Sequence, residues 1–277
     1  MPDMLICPVC SAPLAEAGGA LKCPDGHSFD LAASGYCNLL TGSRNGKFIG
    51  DDREMVAARR RFLESGAYAP LRDALCARLL AMTEGRAGLS LLDAGCGEGY
   101  YTRAAAAALA GAGRLLQAVG TDISKSATRY AAGRDRAVRY VTANSYHLPV
   151  ADGAVDLILS LFAPAPAEEF LRILAPGGLV IRAVPGADHL WELKQAVYDE
   201  PYRNREEKHR LPGFAERDRV RVEYPFTLDS PDRIRDLFAM TPYARRTPRQ
   251  GLERLEKLER LDVTFSFLLL TCEPAGA

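Results

Sequence analysis

The stretch LLDAGCGEGYYT, residues 91–102, joins a short apolar run to a turn with three evenly spaced glycines. The apolar run predicts a buried strand, and the alanine-rich stretch after it predicts a helix. Ligands of open α/β sheets bind beyond the carboxyl ends of the strands, where this turn lies. Its spacing, D-x-G-x-G-x-G, departs from the dinucleotide fingerprint because Tyr100 stands where the third glycine would be. Asp93 beside the turn favours a ligand with a positive group over a pyrophosphate.

Strands alternate with helices from residue 89 onward. Four more strand-like segments follow the first, with helical segments between most of them, which predicts a mostly parallel sheet with helices on both faces. Two further strand-like segments near the end of the chain, RVRVEYPFTL and LDVTFSFLLLTCEP, would close the sheet. The predicted fold class is therefore α/β, with a seven-stranded sheet.

The chain opens with a cluster of residue types that bind metals. Cys7 and Cys10 form a C-x2-C pair, Cys23 follows after twelve residues, and His27 after three more. A Cys3His set at such spacing is typical of structural zinc. The alternatives are a redox C-x-x-C pair and a disulfide, but a redox pair normally lies near a βαβ unit. We therefore expect one structural zinc ion held by these four residues.

Composition bounds the function. The chain has 277 residues, and its 35 basic and 35 acidic residues give a formal net charge of zero. This excludes a protein held to nucleic acid by bulk charge, but not one with a local basic surface. Four scattered cysteines outside the cluster favour a reducing cytoplasm over a disulfide framework. No signal-peptide pattern and no apolar run of transmembrane length is present, so we expect a cytoplasmic protein without a membrane partner.

The patterns divide the chain into three parts. Residues 1–40 form the metal module, residues 41–85 a linker and two N-terminal helices, and residues 86–277 the α/β domain. The helical patterns are REMVAARRRFLESG and APLRDALCARLLAMTEG. The polar, glycine-rich segment LTGSRNGKFIGDD, at 40–52, predicts a flexible connection, so we expect the metal module to adjust its position.

The glycine turn resembles the cofactor loop of the class I S-adenosylmethionine-dependent methyltransferases, which have a Rossmann-like fold. In that family the loop faces the methionine part of the cofactor. The contacts that the resemblance implies within the turn are Asp93, Gly95, Gly97 and Gly99. It further implies that Asp122, in AVGTDISKSA, binds the ribose hydroxyls, and that Asn144 and Ser145, in VTANSYHLP, contact the adenine.

A Cys3His module before such a domain resembles one family in particular, the bacterial 23S ribosomal RNA (guanine-N1)-methyltransferases, which include an enzyme associated with tylosin resistance. The resemblance covers nearly the whole chain and is carried by CPVC, CPDGHSFD, GYCNLL, EMVAARRRFLESGAYAPLRD, DAGCGEGYYT, FAP and PGADHLWELK. It implies methyl transfer to N1 of a guanine in a hairpin loop of 23S ribosomal RNA, a zinc module on the RNA-recognition surface, and a homodimer. A role in macrolide resistance stays open.

The same resemblance implies three further cofactor contacts, Tyr68, Tyr100 and His189. Without it, Tyr68 reads equally well as a packed aromatic at a helix start. A single histidine at a helix N-terminus, such as His189, more often caps the helix or faces water.

The implied reaction needs help at N1, because guanine N1 carries a proton at neutral pH and is a poor nucleophile until that proton leaves. Asp51, with its neighbours Asp52 and Glu54, and His147 are candidates for a base, although both sets also fit solvated loops. SLFAPAP, after the fourth strand, lacks the Asn/Asp-Pro-Pro-Tyr motif of enzymes that methylate exocyclic amines, which favours a ring nitrogen. Phe162 in that segment could stack on a flipped base or pack in the core.

Basic residues in two segments could contact RNA phosphates, although such runs more often form solvated faces. They are Arg59, Arg60 and Arg61 in one helix, and Arg245, Arg246 and Arg249, with Tyr243, in a loop. Two other readings stay open: a methyltransferase for a small molecule whose zinc is purely structural, and a protein that binds the cofactor without transferring its methyl group.

Overall fold

The computed structural model describes residues 4–41 and 50–276, apart from the side chain of Arg245, and within these residues the main sheet has eight strands. A separate three-stranded sheet lies near the N-terminus. The strands are β1 (Ala15–Ala17), β2 (Ala20–Lys22), β3 (Ser28–Asp30), β4 (Cys37–Asn38), β5 (Leu89–Ala94), β6 (Leu115–Asp122), β7 (Arg139–Thr142), β8 (Val155–Leu161), β9 (Leu174–Pro185), β10 (Phe214–Leu228) and β11 (Leu261–Pro274).

The main sheet has the order β10-β11-β9-β8-β5-β6-β7-β4. It is parallel from β9 to β4, while β11 runs antiparallel between β9 and β10. The α/β class and the closure of the sheet by the two terminal strands are therefore as predicted. Leu91 and Leu92 of β5 are buried in separate apolar clusters, because successive side chains of a strand point to opposite faces.

The described helices cover the sheet and carry the residues that surround its carboxyl edge. They are α1 (Arg53–Glu64), α2 (Ala69–Met82), α3 (Tyr100–Gly111), α4 (Lys125–Arg134), α5 (Ala167–Ile173), α6 (Trp191–Val197), α7 (Pro231–Ala239) and α8 (Arg249–Leu255), with short 3-10 turns at Glu206–His209 and Pro242–Arg245. The two N-terminal helices match their predicted segments. No described helix has both the length and the apolar character needed to cross a membrane.

The eighth strand of the main sheet, β4, departs from the predicted seven. Cys37 and Asn38 pair in parallel with Val141 and Thr142 of β7 and extend the sheet at its edge. Two residues are too few to show a strand pattern in the sequence, so only the tertiary pairing reveals them.

The N-terminal module, defined as residues 4–41, packs firmly on the sheet domain. The Ile6 N–H donates to the carbonyl of Pro149 at 3.0 Å, and the Ala151 N–H donates to that of Met4 at 2.9 Å. Leu5 and Val150 are fully buried in one apolar cluster that spans both parts. The module is thus docked in this structure, in contrast to the adjustable module that the linker suggested. Residues 42–49 of that linker lie outside the described residues.

Candidate functional site

A cavity of about 820 Å³ lies at the carboxyl edge of the parallel strands, and we call it the main cavity. Its wall brings together most of the residues singled out in the sequence. These are Asp51, Tyr68, Asp93, Gly95, Gly97, Asp122, Asn144, Ser145, Phe162 and His189. They come from the ends of five strands and from two N-terminal helices or the segments before them, so only the fold makes them neighbours.

The glycine turn forms the floor of the main cavity. Gly95 and Gly99 have φ of 94° and 84°, and a Cβ atom at Gly95 would lie 2.3 Å from that of Ala163. Gly97, with φ of 56°, instead faces open space, since the first side-chain atom a Cβ would meet is Nη1 of Arg59 at 3.9 Å. Gly95 is therefore needed for packing, whereas Gly97 leaves room for a ligand against bare backbone.

Asp122, at the end of β6, holds the turn from the side. One of its carboxylate oxygens accepts the Gly97 N–H at 2.9 Å, and the other accepts the Ser124 N–H at 2.8 Å. Burial raises the pKa of Asp122, and these two backbone donors act against that rise. A carboxylate in this position can accept hydrogen bonds from vicinal hydroxyls of a ligand, as in ribose recognition.

Two more buried carboxyls stand beside the turn and give the cavity a negative floor. Asp93 is 1% exposed and accepts the Thr102 hydroxyl at 2.6 Å, and burial raises its pKa to about 7. Glu98 accepts the Tyr100 N–H at 3.2 Å, and burial raises its pKa as well. Three carboxyls with raised pKa values around one turn favour a cationic ligand, whose charge would stabilise their ionised forms.

Three buried polar atoms of residues on the cavity wall have no hydrogen-bond partner among the described residues. They are Oδ1 of Asp93, the hydroxyl of Tyr101 and Nε of Arg182. Buried polar atoms are nearly always paired, so these atoms indicate groups of a bound ligand or water. A ligand with a cationic centre, hydroxyls and an aromatic base fits the donors and acceptors that the wall offers.

Aromatic rings form the opposite wall. Tyr68 is buried, and its ring centroid lies 4.8 Å from that of Phe265 and 5.1 Å from that of Phe267. His189 lies 4.6 Å from Phe267, and its Nδ1 accepts the Ser266 N–H at 3.4 Å, which leaves the proton on Nε2. Burial, with Lys194 nearby, lowers the pKa of His189 to about 3, so it is a neutral donor and no base at physiological pH.

Tyr100 is placed differently from the expectation. Its hydroxyl accepts from Nη1 of Arg72 at 3.5 Å, so its side chain turns away from the main cavity. The next residue, Tyr101, lines the cavity instead. Gly99 and Tyr100 are not part of the described wall, because the helix α3 begins there and carries them behind the turn.

The residues considered as a base for guanine N1 either have a partner in the chain or lie outside the main cavity. Asp51 forms an ion pair with Arg59, so its carboxylate already has a partner within the chain. His147 is exposed and stands outside the described cavity wall, where its backbone N–H donates to the Asn144 carbonyl at 3.0 Å. Asp52 caps helix α1 by accepting the Met55 N–H at 2.9 Å, and Glu54 lies in the first turn of that helix. Each of these residues therefore already has another role or another place.

Phe162, the remaining candidate, has a partly exposed ring on the wall of the main cavity. It follows β8 on the cavity wall, is 45% exposed, and has φ of 56°, a left-handed conformation that bulky residues rarely adopt. Its ring lies 5.6 Å from that of Phe267 and 6.5 Å from that of Tyr68. The buried part of the ring packs against Phe267 and Tyr68, so both stacking on a base and packing stay open for Phe162.

The arginines of α1 are occupied within the chain. Arg59 pairs with Asp51 inside the main cavity, Arg60 lies over the Tyr130 ring at 5.1 Å, and Arg61 pairs with Asp236. In the second basic segment, Arg246 is exposed on the cavity wall, and Arg249 pairs with Glu253 at 3.1 Å. Tyr243 is buried on the same wall, and the side chain of Arg245 lies outside the described residues.

Two cationic residues that the sequence did not single out also shape the main cavity. Arg182 is 9% exposed, and its Nη1 donates to the His209 carbonyl. Lys194 is fully buried and donates to the Tyr202 carbonyl at 3.1 Å and to Oδ1 of Asn204 at 2.9 Å. Lys194 thereby holds residues 202–204 at the cavity. A lysine or arginine in an ordinary strand or helix pattern carries no sequence signal of such burial.

The cysteine–histidine cluster has the geometry of a metal site. The ligand atoms of Cys7, Cys10, Cys23 and His27 all lie within 4.8 Å of one another. The sulfurs of Cys10 and Cys23 are 3.7 Å apart, against roughly 3.8 Å for two sulfurs bound to one tetrahedral zinc and about 2.0 Å for a disulfide. The donor set therefore fits zinc, whereas the disulfide alternative does not fit. Cys37 is not a member of this cluster.

Comparison with known proteins matches both parts of the chain. A zinc-ribbon family model described as "RlmA, N-terminal" matches residues 5–43, and one described as "Methyltransferase domain" matches residues 92–182. The 23S rRNA (guanine(748)-N(1))-methyltransferase of Streptomyces fradiae is 34% identical over 277 residues, which cover 98% of this chain and 96% of that protein.

Two further relatives carry the 23S rRNA (guanine-N1)-methyltransferase name provisionally. YxjB of Bacillus subtilis is 33% identical over 273 residues, covering 95% of this chain and 94% of that protein. A protein of Micromonospora griseorubida is 40% identical over 213 residues, covering 69% and 70%. The similarity to the first two relatives spans the N-terminal module and the sheet domain together.

Proposed function

Since this chain belongs to the 23S rRNA (guanine-N1)-methyltransferase family, we propose that it transfers a methyl group from S-adenosylmethionine to N1 of a guanine in 23S ribosomal RNA. The observation that carries the proposal is the joint packing of the cysteine–histidine cluster and the glycine-turn cavity in one folded unit. A methyltransferase for a small molecule has no evident use for the cysteine–histidine cluster, so we rank that function second.

The cofactor supplies a methyl group that is already electrophilic, and the protein must position and shield the reacting atoms. Asp122 would accept the ribose hydroxyls, and Asn144 and Ser145 would border the adenine. Asp93 would pair with the positive charge of the methionine part, which explains why its Oδ1 has no hydrogen-bond partner among the described residues. His189 would donate from Nε2, since its Nδ1 is already occupied.

Phe162 would hold the target guanine by stacking. The proton on N1 must leave before or during transfer, and none of the sequence candidates is an unengaged base in the main cavity. We infer that the site stabilises the deprotonated guanine by hydrogen bonding to its O6, with the proton passing to water. Arg182 and Arg246 are the cationic donors of the wall that have no carboxylate partner among the described residues.

The finer features of the substrate are part of the same proposal. The target guanine lies in a hairpin loop, where a base can be splayed out at low cost. The N-terminal module contributes to RNA recognition, residues 41–85 connect it, and residues 86–277 bind the cofactor. We also propose a homodimer and a cytoplasmic location, which suit an enzyme acting on ribosomal RNA.

The proposal is tested with labelled S-adenosylmethionine and 23S ribosomal RNA from a strain that lacks the enzyme. We expect label in that RNA and none in RNA from a strain that has it. An N1-methylguanine blocks pairing, so a reverse-transcriptase stop locates the base and shows whether it is guanine 748, which the S. fradiae relative is named for. Label in a small-molecule fraction but not in RNA would favour the second candidate.

A further inference from the structure

A second groove lies between the N-terminal module and α4, and we call it the basic groove. Ser34 and Tyr36 of the module form one wall, and Lys125, Arg129 and Arg134 of α4 form the other. Arg53, the first residue of α1, closes one end. Among the described lining residues four are cationic and none is acidic.

The charge of the basic groove stands out in a chain with no net charge. Arginines elsewhere are mostly paired with carboxylates, as Arg61 is with Asp236. Arg53, Lys125 and Arg129 are exposed and form no ion pair within the described part of the chain. Arg134 alone is paired, with Glu64 at 3.0 Å. Three uncompensated cations in one concave surface favour an anionic partner.

The walls of the basic groove are tied together before any partner binds. Nη2 of Arg136, just beyond α4, donates to the carbonyl of Ala33 at 3.0 Å. Gly35 allows this approach, since a Cβ there would lie 2.3 Å from Nη1 of Arg136. The pairing of β4 with β7 fixes the module from the other side. The two walls of the groove are therefore held next to each other within the chain.

The basic groove and the main cavity are lined by neighbouring residues of the same two segments. Asp51 and Ile123 line the main cavity, whereas Arg53 and Lys125, two residues further along each segment, line the groove. The two segments are joined by the Ser124 hydroxyl, which donates to the Asp51 carbonyl at 2.6 Å. A strand whose base enters the cavity could thus continue along the groove without a break.

We propose that the basic groove binds phosphates of the RNA strand that flanks the target guanine, and so positions the hairpin at the cavity. This inference rests on the proposed function and names the contacts that hold its substrate. Phosphate contacts position a nucleic acid without reading its sequence, which matches a wall of long cationic side chains with two tyrosines. Stacking of an unpaired base on Tyr36 is open to the same strand.

The test compares Lys125→Ala/Arg129→Ala with a control that removes the same charge elsewhere, Arg217→Ala/Lys257→Ala. Arg217 and Lys257 are exposed and lie on the β10–β11 side of the sheet, away from the groove. Binding of the isolated 23S hairpin is measured by fluorescence anisotropy across a salt series. We expect the groove variant to lose about tenfold in affinity at moderate salt, with a salt slope shallower by about 1.4–1.8.

Measurements of methyl transfer and of cofactor binding show whether the groove variant affects RNA binding alone. The groove variant should raise KM for the RNA and leave kcat and the affinity for S-adenosylmethionine unchanged. RNA binding and a salt slope equal to those of the control variant would overturn the inference. So would normal binding of naked RNA with reduced action on intact ribosomal particles, because the groove would then fit a protein. A wild-type enzyme that never labels 23S RNA contradicts the proposed function instead, and is recognised before any variant is made.

Discussion

The carboxylate of Asp122 accepts the backbone N–H of Gly97 at 2.9 Å, so the acid at the end of the second parallel strand shapes the glycine turn at the end of the first. The sequence shows these residues as two separate motifs. In the structure they are one unit, because β5 and β6 are neighbours and end at the same edge of the sheet. A change at either residue therefore acts on both the turn and the ligand contact.

Asp122→Ala should weaken binding of S-adenosylmethionine by about 1–3 kcal/mol, since it removes a ligand acceptor and leaves two backbone donors unpaired. Gly97→Val should weaken it more, because a branched side chain would enter the ligand space and strain a φ of 56°. Isothermal calorimetry measures both. Asp229→Ala, at an exposed acid in the segment before α7, is the control. Unchanged affinity in both site variants would contradict this pocket.

Binding of S-adenosylmethionine should depend on pH through Asp93. Its pKa of about 7 means that the carboxyl is largely protonated below neutrality and must lose that proton to pair with a cation. We expect affinity to fall by about tenfold per pH unit below pH 7 and to level off above it. Asp93→Asn should bind more weakly at pH 7.5 and show a flat profile between about pH 5.5 and 7.5. If the affinity of wild type and of Asp93→Asn changed equally with pH, a group other than Asp93 would cause the pH dependence.

Stability without ligand should show the opposite dependence. Because burial raises the pKa of Asp93, the folded state binds more protons than the unfolded state between roughly pH 4 and pH 7. This residue's contribution to the free energy of unfolding therefore falls as pH rises through that window. Asp93→Asn should raise Tm relative to wild type at pH 8 more than at pH 5, as thermal denaturation would measure.

The zinc assignment predicts a loss of metal and of global stability together. Cys10→Ser should remove the ion, and Tm should fall for the whole chain, because the module shares an apolar cluster with the sheet. Metal analysis and thermal denaturation measure the two effects. Cys76→Ser, a half-buried cysteine of α2, is the matched control and should keep its zinc. Full zinc in the Cys10 variant would contradict the ligand set.

Much of this architecture could be predicted because it follows from local sequence patterns. The alternation of apolar strands and helices, and the Cys7-to-His27 spacing, need only a few neighbouring residues to be recognised. What could not be predicted depends on long-range contacts. Whether Tyr100 or Tyr101 faces the cavity depends on how α3 is rotated on the sheet, and the ion pair between Asp51 and Arg59 joins two residues that are eight positions apart.

The position of the N-terminal module is the clearest example. A polar, glycine-rich connector predicts that the module can move. The pairing of β4 with β7 and the burial of Leu5 against Val150 instead hold the module in place, and these contacts involve residues outside the connector. Apolar residues such as Met4 and Leu5 looked like part of a small zinc fold, although they complete the core of the larger domain.

Deletion of residues 1–40 is therefore expected to unfold more than the module. It would remove β4 from the edge of β7 and expose Val141 and Val150, which are fully buried in the intact chain. We expect lower Tm and poor solubility, and loss of S-adenosylmethionine binding as a consequence. Circular dichroism and calorimetry on the truncated chain measure this. A truncated protein with wild-type Tm and cofactor affinity would show that the two parts fold independently.

Phe162→Ala should impair methyl transfer while sparing the fold. The ring is 45% exposed at the main cavity, so its removal loses less burial than removal of a fully buried ring, whereas a stacked base would lose about 1–3 kcal/mol of binding. We expect kcat/KM for the RNA to fall accordingly, and Phe162→Tyr to retain most of the activity because it keeps the aromatic face. The control is Leu116→Ala, which should remain fully active. It removes an exposed apolar side chain at the start of β6, at the end of the strand away from the main cavity.

Phe162→Gly separates stacking from stability. The backbone at this position has φ of 56°, which glycine adopts without strain, so the variant should be at least as stable as Phe162→Ala while lacking the same ring. If the ring serves the substrate, the glycine and alanine variants lose activity equally although their Tm values differ. If the ring only packs, activity should follow Tm and the glycine variant should be the more active of the two. Activity that rises with Tm across the three variants at 162 would therefore remove Phe162 from the substrate site.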